Sequence, residues 1–340
     1  MRTTTFIILL SLILILQSCF KEDEKIAPHD PGDVITETIE MQSDYRYQVY
    51  YDLGTGSVVS SNFKDEWDLG FECAPGGWHV ILNTSNFMLA GNTGLTVFND
   101  ATDTAGTAWR YDPSSGNLDS TAIGNWISFS PADSSVSISQ HVYIIDRGYD
   151  EAGNLRGLKK VVFTGWDADR YSFRYANLDG SGEDSIEVVK DPAVNFICFS
   201  FDEGGRVIGL EPPKNSWDLL FTQYTTLLFT NEGDPYPYLV TGVLANRTGV
   251  EVACDTLVDF SSITLEQAVN FTFSTIQDEI GYDWKDVIGD VSTGNVSYVI
   301  IPGINYVVKD AGGFYYKLRF ISFYNDEGEK GFPTFEFQLL

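Results

Sequence analysis

Trp67-Asp68-Leu69-Gly70-Phe71 returns 150 residues later as Trp217-Asp218-Leu219-Leu220-Phe221. Side chains on an extended strand alternate between its two faces, so Trp67, Leu69 and Phe71 share one face and Asp68 takes the other. Three large apolar groups on one side anchor a sheet against a facing layer, while the aspartate satisfies the amides of a neighbouring loop. The pattern is structural, not catalytic. At the same spacing Tyr51-Asp52-Leu53-Gly54 lines up with Phe201-Asp202-Glu203-Gly204. Nearer the end of each copy, Lys160-Val161-Val162-Phe163 matches Lys317-Leu318-Arg319-Phe320 at a spacing of 157, each after a glycine-containing hairpin. Landmarks shared in order imply duplication, and residues 34–190 and 191–340 are expected to form two similar β units in tandem.

The segments between the landmarks agree. Short runs of Val, Ile, Phe, Tyr and Thr are separated by Gly, Asn, Asp and Pro clusters, the signature of strands and turns. Tyr316-Lys317-Leu318-Arg319-Phe320-Ile321 alternates apolar with basic, as a half-buried strand does. Asp150-Glu151-Ala152-Gly153-Asn154 and Asp310-Ala311-Gly312-Gly313 read as hairpin connections. Helical periodicity is confined to Leu265–Val269 and to one short turn within Asp278–Val287. The expected class is all-β, built of packed antiparallel sheets.

Composition narrows the function. The chain has 340 residues, 43% hydrophobic and 14% aromatic, which suits a folded core and not an acidic disordered chain. Lys and Arg total 21 against 48 Asp and Glu, a formal charge of −27. A polyanion of this size is repelled by phosphate backbones and anionic headgroups, which argues against nucleic acid as a partner.

The N-terminus reads as an export signal. Arg2 precedes Phe6 to Leu16, an apolar run of 11 residues broken only by Ser11. A bilayer-spanning helix needs about 20. Leu16-Gln17-Ser18-Cys19 resembles a bacterial lipoprotein processing box, which implies a signal peptide over 1–18 and lipidation of Cys19. Residues 19–33, with Pro28, Pro31 and Gly32, then form a lipidated tether. Three cysteines remain, Cys73, Cys198 and Cys254, without the close paired spacing of a zinc site; a disulfide among them is left open.

The landmarks carry a family resemblance. An aromatic strand, a Gly turn, a Val strand, then Trp-Asp-hydrophobic and a short strand ending in Asn is the pattern of HmuY-type haem-binding surface lipoproteins of Bacteroidetes. Here it runs from Tyr50 to Asn83, closed by Val80-Ile81-Leu82-Asn83, and again from Phe199 to Phe221, continued by Thr222-Gln223-Tyr224. Tyr316 to Phe337, with Gly331-Phe332-Pro333, resembles the family's closing hairpin. Lys21-Glu22-Asp23-Glu24 resembles the acidic tag that sends some lipoproteins of this type to the cell exterior. The resemblance implies two family-like units in tandem on a protein of the outer membrane. Through lipidated Cys19 it would face outward, bind haem or another small planar ligand for acquisition, and pass it to an outer-membrane receptor.

Ligand residues carry over less well. The family's usual axial histidines are expected between the Trp-Asp strand and the closing hairpin. From Asn92 to Gln140 there is no histidine, and after the family-like Trp126-Ile127-Ser128-Phe129-Ser130 stands Pro131, which has no donor for iron. The second copy has no histidine at all. Haem iron also accepts Met sulfur, so the candidates are His79 with nearby Met88, and His141 at the start of the Val142–Ile145 strand. The plainer readings are a core methionine and hydrogen-bonded strand-end histidines. Trp109-Arg110-Tyr111, Trp126 and Tyr236-Pro237-Tyr238 are in loop-like surroundings that suit a porphyrin face, a sugar ring or a partner protein equally. Asn177 to Asp184 places oxygen ligands beside a glycine turn but lacks the full calcium-loop pattern and reads as a polar hairpin turn. No nucleophile elbow, phosphate loop or metalloprotease helix is present, so no enzyme is expected. The alternative is a haem-incompetent surface module that binds a protein or glycan.

Overall fold

Asp68 and Asp218 occupy the same hydrogen-bonding position in two different sheets, and the strands around them explain why. A computed structural model describes residues 32–130, 135–290 and 295–340. Cys19, His29, Lys21-Glu22-Asp23-Glu24, the signal segment and Pro131 lie outside the described residues. The first run of strands is β1 (Ile35–Thr38), β2 (Tyr47–Asp52), β3 (Ser57–Phe63), β4 (Leu69–Glu72), β5 (Val80–Leu82), β6 (Leu89–Asn92), β7 (Ile127–Phe129), β8 (Val136–Ile138), β9 (Val142–Asp146), β10 (Leu158–Trp166) and β11 (Arg170–Ala176). The second is β12 (Asp184–Val189), β13 (Phe196–Ser200), β14 (Arg206–Ile208), β15 (Leu219–Phe229), β16 (Pro235–Ala245), β17 (Glu251–Asp255), β18 (Lys285–Asp290), β19 (Asn295–Ile300), β20 (Asn305–Lys309), β21 (Tyr315–Tyr324) and β22 (Lys330–Leu339). The protein is all-β with antiparallel sheets. One α-helical turn, α1 (Leu265–Ala268), begins where expected, with the Thr264 amide donating to Gln267 Oε1 at 3.0 Å.

The sheets show how the two runs relate. One five-stranded sheet has the order β12-β11-β10-β9-β6 and the other β1-β22-β21-β20-β17. Advancing every strand of the first by eleven places, and returning from the end of the chain to its start, gives the second. The two four-stranded sheets, β14-β13-β4-β5 and β16-β15-β2-β3, follow the same rule, as do the hairpins β7-β8 and β18-β19. Each repeat's opening strands are thus built into the other repeat's sheets. β13 pairs with β4, and β2 with β15. Residues 34–190 and 191–340 each supply strands to both halves, and Gly32–Leu340 is one compact unit. By strand order the repeat closes after β11, so Asp184–Val189 is the counterpart of Ile35–Thr38 and opens the second repeat.

Matching hydrogen bonds fix the equivalences. The Asp68 amide donates to Phe199 O and the Asp218 amide to Tyr51 O, both at 2.8 Å. Asn83 Nδ2 donates to the carbonyls of Lys64 and Trp67, and Asn246 Nδ2 to those of Lys214 and Trp217. Tyr51 therefore corresponds to Phe199 and not to Phe201, two residues away from the match read along the sequence. Seventeen residues separate Tyr51 from Asp68 and nineteen separate Phe199 from Asp218, so the second repeat is two residues longer here.

Packing follows the alternation. Leu69 and Phe71 are fully buried, as expected for their shared face, and Gly70 lets β5 approach closely: a Cβ there would lie 2.7 Å from Ile81 Cγ1. One core gathers Leu69, Phe71, Trp126, Phe163 and Phe199; the other gathers Tyr51, Leu219, Phe221, Trp284 and Phe320. On the outer faces, Lys160 Nζ donates to Ala101 O at 3.1 Å and sits 5.0 Å from the Phe98 ring. Its counterpart Lys317 donates to Ile263 O at 3.2 Å, 4.9 Å from Phe260. Cys73 and Cys198 are buried and Cys254 exposed, all as free thiols.

Candidate functional site

The turn from β4 to β5, Ala74-Pro75-Gly76-Gly77, folds the chain back so that Glu72 meets the backbone and ring of His79. Gly76 takes a positive φ of 73°, and Gly77 N closes the turn on Ala74 O at 2.8 Å. Glu72 Oε2 accepts from the amides of Trp78 and His79 at 3.1 and 3.2 Å and contacts His79 Nδ1 at 2.6 Å. Burial pushes the Glu72 carboxyl up, but the bonds from His79 and Trp78 prevail and hold it below its ordinary value. A carboxylate that accepts from one ring nitrogen fixes the imidazole's orientation and raises the basicity of the other, the arrangement found behind metal-ligating histidines. His79 Nε2 has no hydrogen-bond partner, and the nearest charge is Asp119 Oδ1 at 3.6 Å.

Aromatic rings surround this edge. The Trp78 and His79 rings stack at 4.0 Å, and Phe129 on β7 is 6.3 Å from Trp78 and 5.3 Å from Trp166. Phe129 is 45% exposed. Gly77 O is clamped by Trp166 Nε1 at 2.9 Å, Tyr171 OH at 3.1 Å and Lys190 Nζ at 2.6 Å. Lys190 Nζ also lies 4.9 Å from the Trp166 ring, and burial lowers its pKa. The imidazole is thus stacked on Trp78 and the ammonium lies over Trp166, with Phe129 in contact with both indoles.

The three ligand candidates are not brought together. Met88 is fully buried in the core with Leu69, Phe71 and Trp126. His141, before β9, has Nδ1 3.0 Å from Asn92 Nδ2 at the end of β6, the edge strand of its sheet. Neither hydrogen bonds nor ring contacts link it to His79. Of the aromatic residues, Trp126 is buried and donates to Trp78 O at 3.1 Å, whereas Trp109, Tyr236 and Tyr238 are exposed. Trp109, Arg110 and Tyr111 line a shallow cleft of about 460 Å³ with Ser114 and Thr226. Sequence reading overlooked Glu72, Trp166 and Lys190. Glu72 was within reach: Pro75-Gly76-Gly77 marks a turn, and residues flanking a turn meet. Trp166 and Lys190 come from distant strands and give no such signal. The Asn177–Ser181 segment is a self-bonded turn, with Asp179 Oδ1 accepting from the Ser181 amide at 2.8 Å.

The profile of the HmuY protein family matches residues 44–337, a span that takes in strands of both repeats. Among solved structures, the chain is similar to apo PinO of Porphyromonas gingivitis at 12% identity and a TM-score of 0.28, covering 91% of this chain and 98% of that one. It is similar to the apo HmuY analog of Tannerella forsythia at 12% identity and a TM-score of 0.25, covering 92% and 98%. A Bacteroides vulgatus protein, provisionally described as an HmuY-like heme binding protein, aligns at 14% identity and a TM-score of 0.23 over 89% and 90%. No curated protein matches the sequence.

Proposed function

The chain belongs to the HmuY protein family, and from that premise we propose that it is a non-enzymatic haem-binding protein of the cell surface, with His79 as its iron ligand. The observation that carries this reading is the His79–Glu72 pair, with Nδ1 held at 2.6 Å and Nε2, buried beside Asp119 at 3.6 Å, making no hydrogen bond. Bound haem would supply an iron that can take an imidazole nitrogen as ligand. The protein's part is to orient the imidazole through Glu72, to offer the ring faces of Trp78 and Phe129, and to place Lys190 where an anionic propionate would be neutralised. The Asp119 side chain, exposed beside Nε2, must swing away for haem to enter. Lipidated Cys19 would tether the chain to the outer membrane, facing outward, from where haem passes to a receptor.

Haemin titration of the purified chain tests the site. A saturable, shifted Soret band is expected for the wild type and for Met88→Leu and His141→Ala, and its loss for His79→Ala. No shift at micromolar haemin, or a band indifferent to His79→Ala, overturns the reading. It would favour the second one, a haem-free module for a protein or glycan, which the exposed Trp109, Tyr236 and Tyr238 support. Cys19→Ser should release the chain from membranes.

A further inference from the structure

The segment from Asp112 to Ala122 reaches His79 and is held in place by both repeats. Asp112, itself buried, ties the segment's two ends to β5: one carboxylate oxygen accepts from the Ala122 amide and the other from the Leu82 amide, both at 2.7 Å. Leu82 closes β5, the strand that His79 leads into. Between these ends the second repeat grips the chain. Ser114 Oγ and Thr226 Oγ1 are hydrogen-bonded at 3.0 Å, the Gln277 amide donates to Ser115 O at 3.0 Å, and Arg247 donates to Gly116 O. Gly116 has a φ of 76°, and a Cβ there would lie 2.4 Å from Gln277 Oε1, so this anchor requires glycine.

Past that anchor the chain closes on itself. Asn117 Oδ1 accepts from the Asp119 amide at 3.1 Å, Asn117 Nδ2 donates to Ser120 Oγ at 3.3 Å, and the Ser120 amide donates to Asn117 O at 3.2 Å. Among the described residues, the one charged contact of this turn with the body of the protein is Asp119 Oδ1, 3.6 Å from His79 Nε2. The Asp119 side chain is 88% exposed, whereas Nε2 is buried and makes no hydrogen bond. Glu72 takes the proton of Nδ1, so the lone pair that could bind a metal lies on Nε2. A carboxylate facing that lone pair repels it and favours a proton there instead. Asp119 and an incoming iron therefore compete for one nitrogen. We propose that Asn117–Ser120 is a latch over His79, with Asp119 at its tip and Asp112 as the positioning residue that registers it against β5. The latch governs access to Nε2; only the naming of haem as the arriving ligand rests on the proposed function.

Diethyl pyrocarbonate, which acylates an accessible, unprotonated imidazole nitrogen, tests the latch without haem. Peptide mass spectrometry reads His79 and His141 separately in one sample, so His141 serves as the internal reference. Relative to His141, His79 should react about fivefold faster in Asp119→Ala than in the wild type, the scale of one exposed ion pair. Asp112→Asn keeps an oxygen for only one of the two amides and should also speed His79. Should that variant fail to fold, Asp119→Ala decides alone. Haemin mixed rapidly with Asp119→Ala should associate faster by a similar factor and reach the wild-type Soret position. Equal His79 reactivity in the wild type and Asp119→Ala overturns the latch, and a Soret band that still depends on His79 would leave haem binding standing. Faster acylation in Asp119→Ala with no Soret shift in any form supports the latch and removes haem as its ligand.

Discussion

Asp68 and Asp218 are the same residue twice over, yet their surroundings are opposite. Both are buried, both donate their amides across the exchanged strands, and each carboxylate accepts a backbone N–H at 2.8 Å, from Phe201 and from Leu53. Around Asp68 the first repeat places Arg147, bidentate at 2.9 and 3.0 Å, and Arg156 at 3.5 Å, both also bonded at 2.7 Å to Asp202. By strand register Tyr143 corresponds to Tyr306, since each pairs with a matched residue, Val161 or Leu318. Arg147 then corresponds to Asp310. The second repeat therefore sets an aspartate where the first has its arginine, and the exchanged β2 of the first repeat brings Asp52 near it as well. Burial, with Asp52 and Asp310 nearby, pushes Asp218 up to about 7. A backbone can keep one landmark for its hydrogen bonds while the charge around it is inverted.

The largest test of that contrast is the same substitution at both places. Asp68→Asn leaves the buried guanidinium of Arg147 facing an amide, with only the half-exposed Asp202 to pair it. Breaking such a pair from one side costs about 3–5 kcal/mol. Asp218→Asn keeps an oxygen for the Leu53 amide and removes a charge that has no cation, so stability at pH 8 should hold or rise. Urea unfolding of both variants decides it; an equal loss in each would mean the arginines contribute nothing particular to the first repeat.

The second test is pH. The folded pKa of Asp218 lies above that of an exposed aspartate, so between about pH 4 and 7 the folded state holds a proton the unfolded chain has released. Stability must then fall as pH rises through this window, by up to roughly 1.4 kcal/mol per pH unit for one proton. Asp112 and Glu211, pushed up to about 6 and 7, act in the same direction. Burial lowers Lys285 to about 7, and from there to about pH 10 the unfolded chain holds the extra proton, so stability climbs again. The expected profile has a minimum near neutrality. Asp218→Asn should flatten the acid limb by about one proton, and Asp310→Arg, which restores the first repeat's charge, should do the same. An unchanged slope in both variants would remove Asp218 from the account.

How much of this was readable beforehand divides along the range of the interactions. Leu69 and Phe71 declare a buried strand face through local alternation, whereas Trp67, expected on the same face, precedes β4, stands outside their core and lies against Gly70; Lys160 and Lys317 mark equivalent strands because each must reach the same kind of carbonyl. The exchange of β2 and β13 between halves was not readable, since the hydrophobic pattern of β4 accepts either partner. The inversion at Arg147 and Asp310 hid for a similar reason: neither stands beside its aspartate in sequence, and their types differ. At the candidate site, His79 was legible as a rare residue type, but its partner Glu72 lay across a turn, and Met88 follows its plainer reading as a core methionine.

The smallest effect is the most searching, because it compares two ring pairs that the duplication made alike. Trp126 and Phe163 lie 4.6 Å apart at an interplanar angle of 33°, Trp284 and Phe320 at 3.9 Å and 13°. Only the second pair has a cation behind it: Lys285 Nζ is 4.1 Å from the Trp284 ring and donates to Thr241 O at 2.6 Å. Ring pairs contribute about 0.5–1.5 kcal/mol beyond their burial. A charged lysine over an indole adds attraction of about 0.5–2 kcal/mol, and it polarises the ring that Phe320 contacts. Double-mutant cycles with leucine at both members of each pair should give the larger coupling for Trp284–Phe320 at pH 5.5, where Lys285 is charged. At pH 8.5, above its folded pKa of about 7, the excess should shrink toward the value for Trp126–Phe163. An excess that persists unchanged at pH 8.5 would assign it to the closer stacking geometry and not to the lysine.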